Sequence, residues 1–269
     1  MGALRDFELA GWQSAAASYE GFAGATRLFV PALVQTAGAK PGMRLLDIAC
    51  GQGAAAQVAA DAGARVTGVD FSPAMLATAK SLHSEIEFHA GDAEALPFAD
   101  ARFDAAIANF GIHHVERPER AIAEARRVLR RGGTFAFTVW AAPEDNTAWR
   151  LIFDAVRACG RLDVPMPAGN DSAVTRENFA RLVTEAGFDP GTLTSELLAY
   201  DWLLPRNADL VSIFETGTVR MGTLLRGQGA ALPAVRRHVA EAVQSHLRNG
   251  TIVLPTRAWL ISAQSRKET

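Results

Sequence analysis

Cysteine is nearly absent from this 269-residue chain: Cys50 and Cys159 are the only two, too few for a disulfide framework. A reducing compartment is the default expectation, and the cytoplasm is the expected location. No run approaches 18 uninterrupted apolar residues, so no membrane span is expected. The opening residues, MGALRDFELAGWQ, lack the basic-then-apolar layout of a signal peptide. They also fail the myristoylation pattern, with Asp6 where Ser or Thr is required. Neither charge sign is in excess, at 27 Lys+Arg against 29 Asp+Glu, so nucleic acid is not an expected partner. The six histidines form no HxxxH pattern, and neither CxxC nor a paired-acid ligand set occurs, which disfavours a metal-dependent mechanism. Internal repeats and low-complexity tracts are missing too.

What is present is an ordinary globular composition, 49% hydrophobic, enough for one large domain with additions or two small ones. From Met43 to Trp140, strand and helix patterns alternate, which implies a mostly parallel sheet covered on both faces. Strands are expected at Met43–Ile48, Arg65–Asp70, Ile86–Gly91, Phe103–Asn109 and Gly133–Trp140. Helices are expected at about Gly53–Ala62, Pro73–Leu82 and Pro118–Leu129, the last with a buried stripe of Ala121, Ile122, Ala125, Val128 and Leu129. Asp6–Gly38 reads as one or two helices broken at Pro31. Beyond the core, Asn146–Cys159, Thr175–Ala186, Ala208–Leu225 and Pro233–Arg248 read as helices, and Thr192–Tyr200 and Thr251–Ser262 as strands. The basic residues of Pro233–Arg248 read as a solvated face. Val164–Ser172, VPMPAGNDS, reads as a Pro/Gly-rich loop with little apolar anchorage.

The most informative stretch is LLDIACGQG, Leu45 to Gly53. Leu45, Leu46 and Ile48 form a buried strand, the Gly-x-Gly makes the turn into a helix, and Asp47 sits where α/β sheets hold ligands. Gly51-x-Gly53-x-x-Ala56, with Asp70 about 20 residues on, also meets the loose dinucleotide fingerprint. Asp47 separates the two ligand classes. A carboxylate repels a pyrophosphate but suits the ammonium and sulfonium of S-adenosylmethionine. A glycine turn without a ligand is the third reading.

Five segments in order resemble the class I S-adenosylmethionine-dependent methyltransferases, in the branch of quinone-biosynthesis and small-molecule enzymes. They are LLDIACGQG, VTGVDFSPAML, GDAEALPF, FDAAIANFGIHHV and RVLRRGGTFAFTVW, all within Ala39–Trp140. Arg131 departs from the family, which usually has proline before Gly-Gly. The resemblance implies a Rossmann-like, seven-stranded, mostly parallel sheet with helices on both faces and the last strand antiparallel beside the fifth. It divides the chain into an N-terminal helical cap segment (1–38), a cofactor-binding core (39–145), and sheet completion with inserted cap helices (146–269), one integrated domain. It implies S-adenosylmethionine as cofactor and methyl transfer to an O, N or C nucleophile of a small, fairly apolar molecule. A cofactor-assisted cyclase or isomerase, or a non-catalytic cofactor-binding module, are the alternatives. A homodimer is compatible with the sequence.

The resemblance also implies site roles. Ala49, Gly51 and Gly53 let the backbone approach the cofactor, Asp47 meets the ammonium and Asp70 accepts both ribose hydroxyls. Phe71 and Met75 pack on the adenine, whose edge Asp92 and Ala93 read. Asn109, Phe110 and His114 lie near the methyl donor, and Tyr19 closes the site. Asp92 also reads as a turn acid after Gly91, and Tyr19 as a helix-packing residue. Ser72, before Pro73, reads as a helix cap. Of the adjacent histidines, His113 is the expected general base and His114 the loop support. Trp140, Trp149, Phe153, Tyr200, Trp202, Phe214, Met221 and Trp259 read either as an apolar acceptor pocket or as the core joining cap to sheet.

Overall fold

The computed structural model describes residues 2–169 and 175–266. Asn170, Asp171 and Ser172 of the expected Pro/Gly-rich loop lie outside the described residues.

Three helices lead the chain, α1 (Ala3–Ala15), α2 (Glu20–Arg27) and α3 (Val30–Thr36). Pro31 does not break this segment. It occupies the first turn of α3, where a missing N–H leaves no intrahelical bond unmade. Then follow β1 (Arg44–Ile48), α4 (Ala54–Asp61), β2 (Arg65–Asp70), α5 (Pro73–Leu82), β3 (Glu87–Ala90), β4 (Phe103–Asn109), α6 (Pro118–Val128) and β5 (Leu129–Trp140). The remainder comprises α7 (Thr147–Cys159), α8 (Arg176–Glu185), β6 (Thr194–Pro205), α9 (Leu210–Gly217), α10 (Arg220–Arg226), α11 (Leu232–Val243), β7 (Leu247–Arg248) and β8 (Thr251–Gln264).

The sheet runs β3-β2-β1-β4-β5-β8-β6. Strands β1 to β5 are parallel to one another. β8 is antiparallel and inserted between β5 and β6. This is the expected α/β sheet with one addition: β7 pairs with β8 and makes an eighth strand. The alternation along β1 sends Leu46 and Ile48 into a core with Phe103, Ile122 and Phe137. Leu45 goes to the opposite face, with Phe29, Leu33 and Ile107. Both faces are thus apolar, as a parallel sheet requires, and Asp47 is the one polar residue among the buried positions of its strand.

Three expected boundaries shift. The helix expected over Ala208–Leu225 is two helices, because Thr218 turns extended between them, with φ −133° and ψ 156°. Its hydroxyl donates to the Phe214 carbonyl at 2.7 Å and accepts from the Gly222 N–H at 3.1 Å, closing one helix and capping the next. α11 stops at Val243 and Arg248 joins the sheet instead. Arg236 is not merely solvated, since it bridges Asp209 and Glu215 between α11 and α9. β6 extends to Pro205 because it pairs with β8 over its full length.

Helices α7, α9, α10 and α11 share one apolar core with α2 and the ends of β6 and β8. Phe22, Ile152, Trp202, Phe214, Val235 and Leu254 are buried together there. Val164 and Met166, from the described part of the Pro/Gly-rich loop, pack against it. That loop is therefore better anchored than its composition suggests. α1 buries only Leu4, Glu8 and Ala15 of its 13 residues. Amides of α1 are accordingly expected to exchange with solvent faster than those of α7 and α11 in the ligand-free protein, and to gain protection when S-adenosylhomocysteine is added. Hydrogen exchange with mass-spectrometric readout checks this. Equal protection of α1 and α7 in the free protein would count against a movable N-terminal cover.

Candidate active site

A cavity opens at the carboxyl ends of β1, β2 and β4, where the strand order reverses and α/β sheets hold ligands. Tyr19, Ala49, Gly51, Asp70, Phe71, Met75, Asp92, Ala93, Asn109, Phe110 and His114 all line it. Asp47, Gly53 and His113 do not.

The turn after β1 is shaped by backbone conformations that only some residues adopt. Ala49, Gly51 and Gly53 have φ of 54°, 54° and 86°. A Cβ at Gly51 would meet nothing within 4 Å, so this glycine leaves open space beside the backbone. Gly53 differs from expectation. A Cβ there would lie 2.8 Å from His83 and 2.9 Å from Phe88, so its smallness serves packing of α4 rather than ligand approach. Phe110, φ 57°, is a second strained position on the wall. Next to it, a Cβ on Gly111 would lie 2.5 Å from the Ala49 Cβ, which shows how tightly the β1 and β4 turns abut.

Asp47 is 1% exposed, and neither of its carboxylate oxygens has a hydrogen-bond partner. Burial pushes its pKa up to about 8, with Asp70 adding to the shift and the nearby Ala56 amide opposing it from outside hydrogen-bond geometry. A buried carboxylate without a partner is costly, and it stands immediately before the glycine turn.

Asp70 ends β2 and is also buried. Its Oδ2 accepts from the Gly51 N–H and its Oδ1 from the Ser72 N–H, both at 2.8 Å. Burial raises its pKa to about 6 against the pull of these bonds. One acceptor site per oxygen stays free for a diol. Ser72 caps α5 as expected, accepting from the Met75 N–H at 3.4 Å.

Asp92 is a turn acid after Gly91, accepting from the Glu94 N–H at 2.9 Å. It is also ion-paired, with Arg5 Nε of α1 2.7 Å from its Oδ2. Asn109 accepts from the Thr138 hydroxyl at 2.8 Å and donates to the Thr26 carbonyl at 3.2 Å, which ties β4 to β5 and α2. The Tyr19 hydroxyl lies 3.4 Å from that of Thr26, and burial raises its pKa. Tyr19 therefore both packs and lines the cavity.

His113 and His114 occupy a one-turn 3-10 helix, Ile112–His114, with ring centroids 4.2 Å apart. Burial and its neighbour hold the pKa of His113 well below the usual imidazole range. It sits off the wall, whereas His114 faces the cavity. Of the two, His114 lines the cavity and His113 lies behind it.

Several wall residues were not anticipated: Arg5, Trp12, Phe22 and Thr26 from the N-terminal helices, and Glu94, Val115 and Glu116 from the loops. Gln52 was missed as well. It donates to the Ala16 carbonyl at 2.8 Å and fastens the glycine turn to the N-terminal segment. The available signal was the amphipathic face Leu4–Glu8–Trp12 of α1, which puts an acid on the inward stripe. Trp140 lines the cavity, stacked on Phe110 with centroids 3.8 Å apart. Trp149, Trp202, Phe214 and Met221 belong instead to the core joining the helices to the sheet. Among the described residues, no group of three or more His, Cys, Asp or Glu could hold a metal ion. No helix among them is long and apolar enough to cross a membrane.

Residues 46–137 match the family described as methyltransferase domain. Among relatives, the demethylmenaquinone methyltransferase of Renibacterium salmoninarum is 43% identical over 120 residues, covering 45% of this chain and 51% of that protein. The malonyl-[acyl-carrier protein] O-methyltransferase of Pseudescherichia vulneris is 37% identical over 147 residues, covering 54% and 59%. The chain thus spans about half the length of these relatives. In fold it is similar to Haemonchus contortus phosphoethanolamine N-methyltransferase 2, solved in complex with S-adenosyl-L-methionine. That likeness has a TM-score of 0.58 and 19% identity, and covers 99% of this chain and 61% of the other.

Proposed function

We propose that this protein transfers the methyl group of S-adenosylmethionine to a small, fairly apolar molecule. The observation that carries this reading is Asp47, a buried carboxylate with no partner beneath a glycine turn. An ammonium group supplies the missing charge and hydrogen bonds, whereas a pyrophosphate would be repelled. The site residues fit the rest of the ligand. Asp70 offers two free acceptor sites to a ribose diol, Phe71 and Met75 offer apolar faces to adenine, and the Ala93 N–H and Asp92 stand at its edge. Bound there, the sulfonium would supply an activated methyl group for in-line displacement. The protein's part is to hold the acceptor in line and exclude water. Residues 39–145 hold the cofactor, and residues 1–38 shape the acceptor side, where Trp12 and Phe22 together with Trp140 of the core give an apolar wall. One copy of the chain builds this wall, so a homodimer is not needed to form it. A cytoplasmic enzyme fits the reading.

The expected result is that S-adenosylmethionine and S-adenosylhomocysteine bind in calorimetric titration and that NADH and NADPH do not. Tight nicotinamide binding with no signal for the adenosylmethionine pair would overturn the proposal.

A further inference from the structure

Helix α1 brings a carboxylate into the interior beside the acceptor side of the cavity. Glu8 is 1% exposed. Its Oε2 accepts a hydrogen bond from Trp12 Nε1 at 3.0 Å and lies 3.3 Å from His114 Nδ1. That second contact is off the line of an N–H bond, as base-to-acid contacts often are before substrate binds. With Nδ1 turned to Glu8, Nε2 is the His114 nitrogen left for the cavity. His113, packed against the far side of His114, is apolar-buried and stays neutral. Arg5, Asp70, Asp92, Glu94 and Glu116 complete the charged groups lining the same cavity.

We propose that His114 is the catalytic base of the methyl transfer, that Glu8 is its positioning residue, and that the acceptor is consequently an aromatic hydroxyl compound. This rests on the methyl-transfer reading above. Transfer to a hydroxyl needs one proton removed: the acceptor O–H bond breaks, the oxygen pair forms the O–CH3 bond, and the sulfonium leaves as a neutral thioether. The proton goes to His114 Nε2, the resulting imidazolium is neutralised by Glu8, and solvent takes the proton after product release. A tertiary-amine nucleophile has no proton to lose and would give this pair nothing to do. The aromatic skeleton is argued from the wall around His114. Trp12 meets its ring edge-on with centroids 5.1 Å apart, and Tyr19, Phe110 and Trp140 surround the same space.

The test uses the whole protein with 2-naphthol, which is protonated at neutral pH, and 1-nitro-2-naphthol, which is ionised there. Wild type should convert 2-naphthol to its O-methyl ether. Glu8→Gln, which keeps the Trp12 hydrogen bond, should lower kcat for 2-naphthol by about 10–100-fold but for the nitro compound by less than about threefold. His114→Gln should show the same split. Equal losses on both naphthols, a C-methyl product, or no methylation of 2-naphthol would each overturn the inference. Binding of S-adenosylhomocysteine to wild type separates the two levels. If it binds, only the base and hydroxyl assignment has failed; if it does not, the methyl-transfer reading falls with it.

Discussion

Replacing Asp47 by asparagine is expected to weaken S-adenosylhomocysteine binding by about 10–100-fold while raising the melting temperature of the free protein. The two effects share one cause. In the ligand-free fold the carboxylate is 1% exposed and unpartnered, so it costs stability; with the ligand's ammonium beside it, the same charge forms a hydrogen-bonded pair of about 1.5–3 kcal/mol. The pH dependence has a definite sign. Burial raises the folded-state pKa from 3.8 to about 8, so the native protein keeps a proton that the unfolded chain releases near pH 4. Asp47 therefore removes stability as pH rises from about 4 to about 8. Asp70, raised to about 6, does the same over a narrower window. Ligand binding needs Asp47 ionised, so affinity should fall as pH drops below about 8, with proton release visible in buffers of different ionisation enthalpy. Calorimetry and thermal melts of wild type and Asp47→Asn across pH 5–8 check both halves. A variant that binds like wild type, or that melts lower at pH 8, would remove Asp47 from the ligand site.

Asp70→Ala should lose more affinity than Asp92→Ala, by more than about 100-fold against about tenfold, at roughly 1.5–3 kcal/mol per charge-assisted bond. Asp70 offers both oxygens to a diol. Asp92 offers one site at the adenine edge, and its Oδ2 is already engaged by Arg5. Loss of Asp70 also frees the Gly51 N–H, which loosens the turn over the cofactor. Asp70→Asn keeps the side-chain shape and separates that loosening from the lost charge. Unchanged S-adenosylhomocysteine affinity in a folded Asp70→Ala protein, or a larger loss for Asp92→Ala, would refute the ribose assignment.

The cofactor half of the cavity was legible because its chemistry is local. The strand, the glycine turn and the acid that ends the next strand lie within 26 residues, Leu45 to Asp70, and backbone conformation ties each to its neighbours. Asp70 on Gly51 and Ser72 on Met75 are contacts of this kind. The acceptor half was less legible. Helix breaks such as Thr218 depend on one hydroxyl serving two helices, and the pairing of β7 depends on where β8 happens to run. The family resemblance implies a ligand role for Gly53; the crowding by His83 and Phe88 exists only once β3 has paired with β2.

The amino-acid order thus determined the parallel sheet, the placing of Asp47 and Asp70 at its carboxyl edge, and the ligand charge those acids accept. These rest on period-2 and period-3.6 patterning and on turns a few residues long. Only the tertiary structure decided which histidine faces the cavity, that Arg5 reaches it and that Glu8 stands behind His114. The 3-10 turn at Ile112–His114 sets two adjacent rings in different surroundings, and no local rule chooses between them. Glu8 and His114 are brought together across more than 100 residues by packing of α1 over the finished sheet, which burial of Leu4 and Ala15 directs and no short-range pattern encodes.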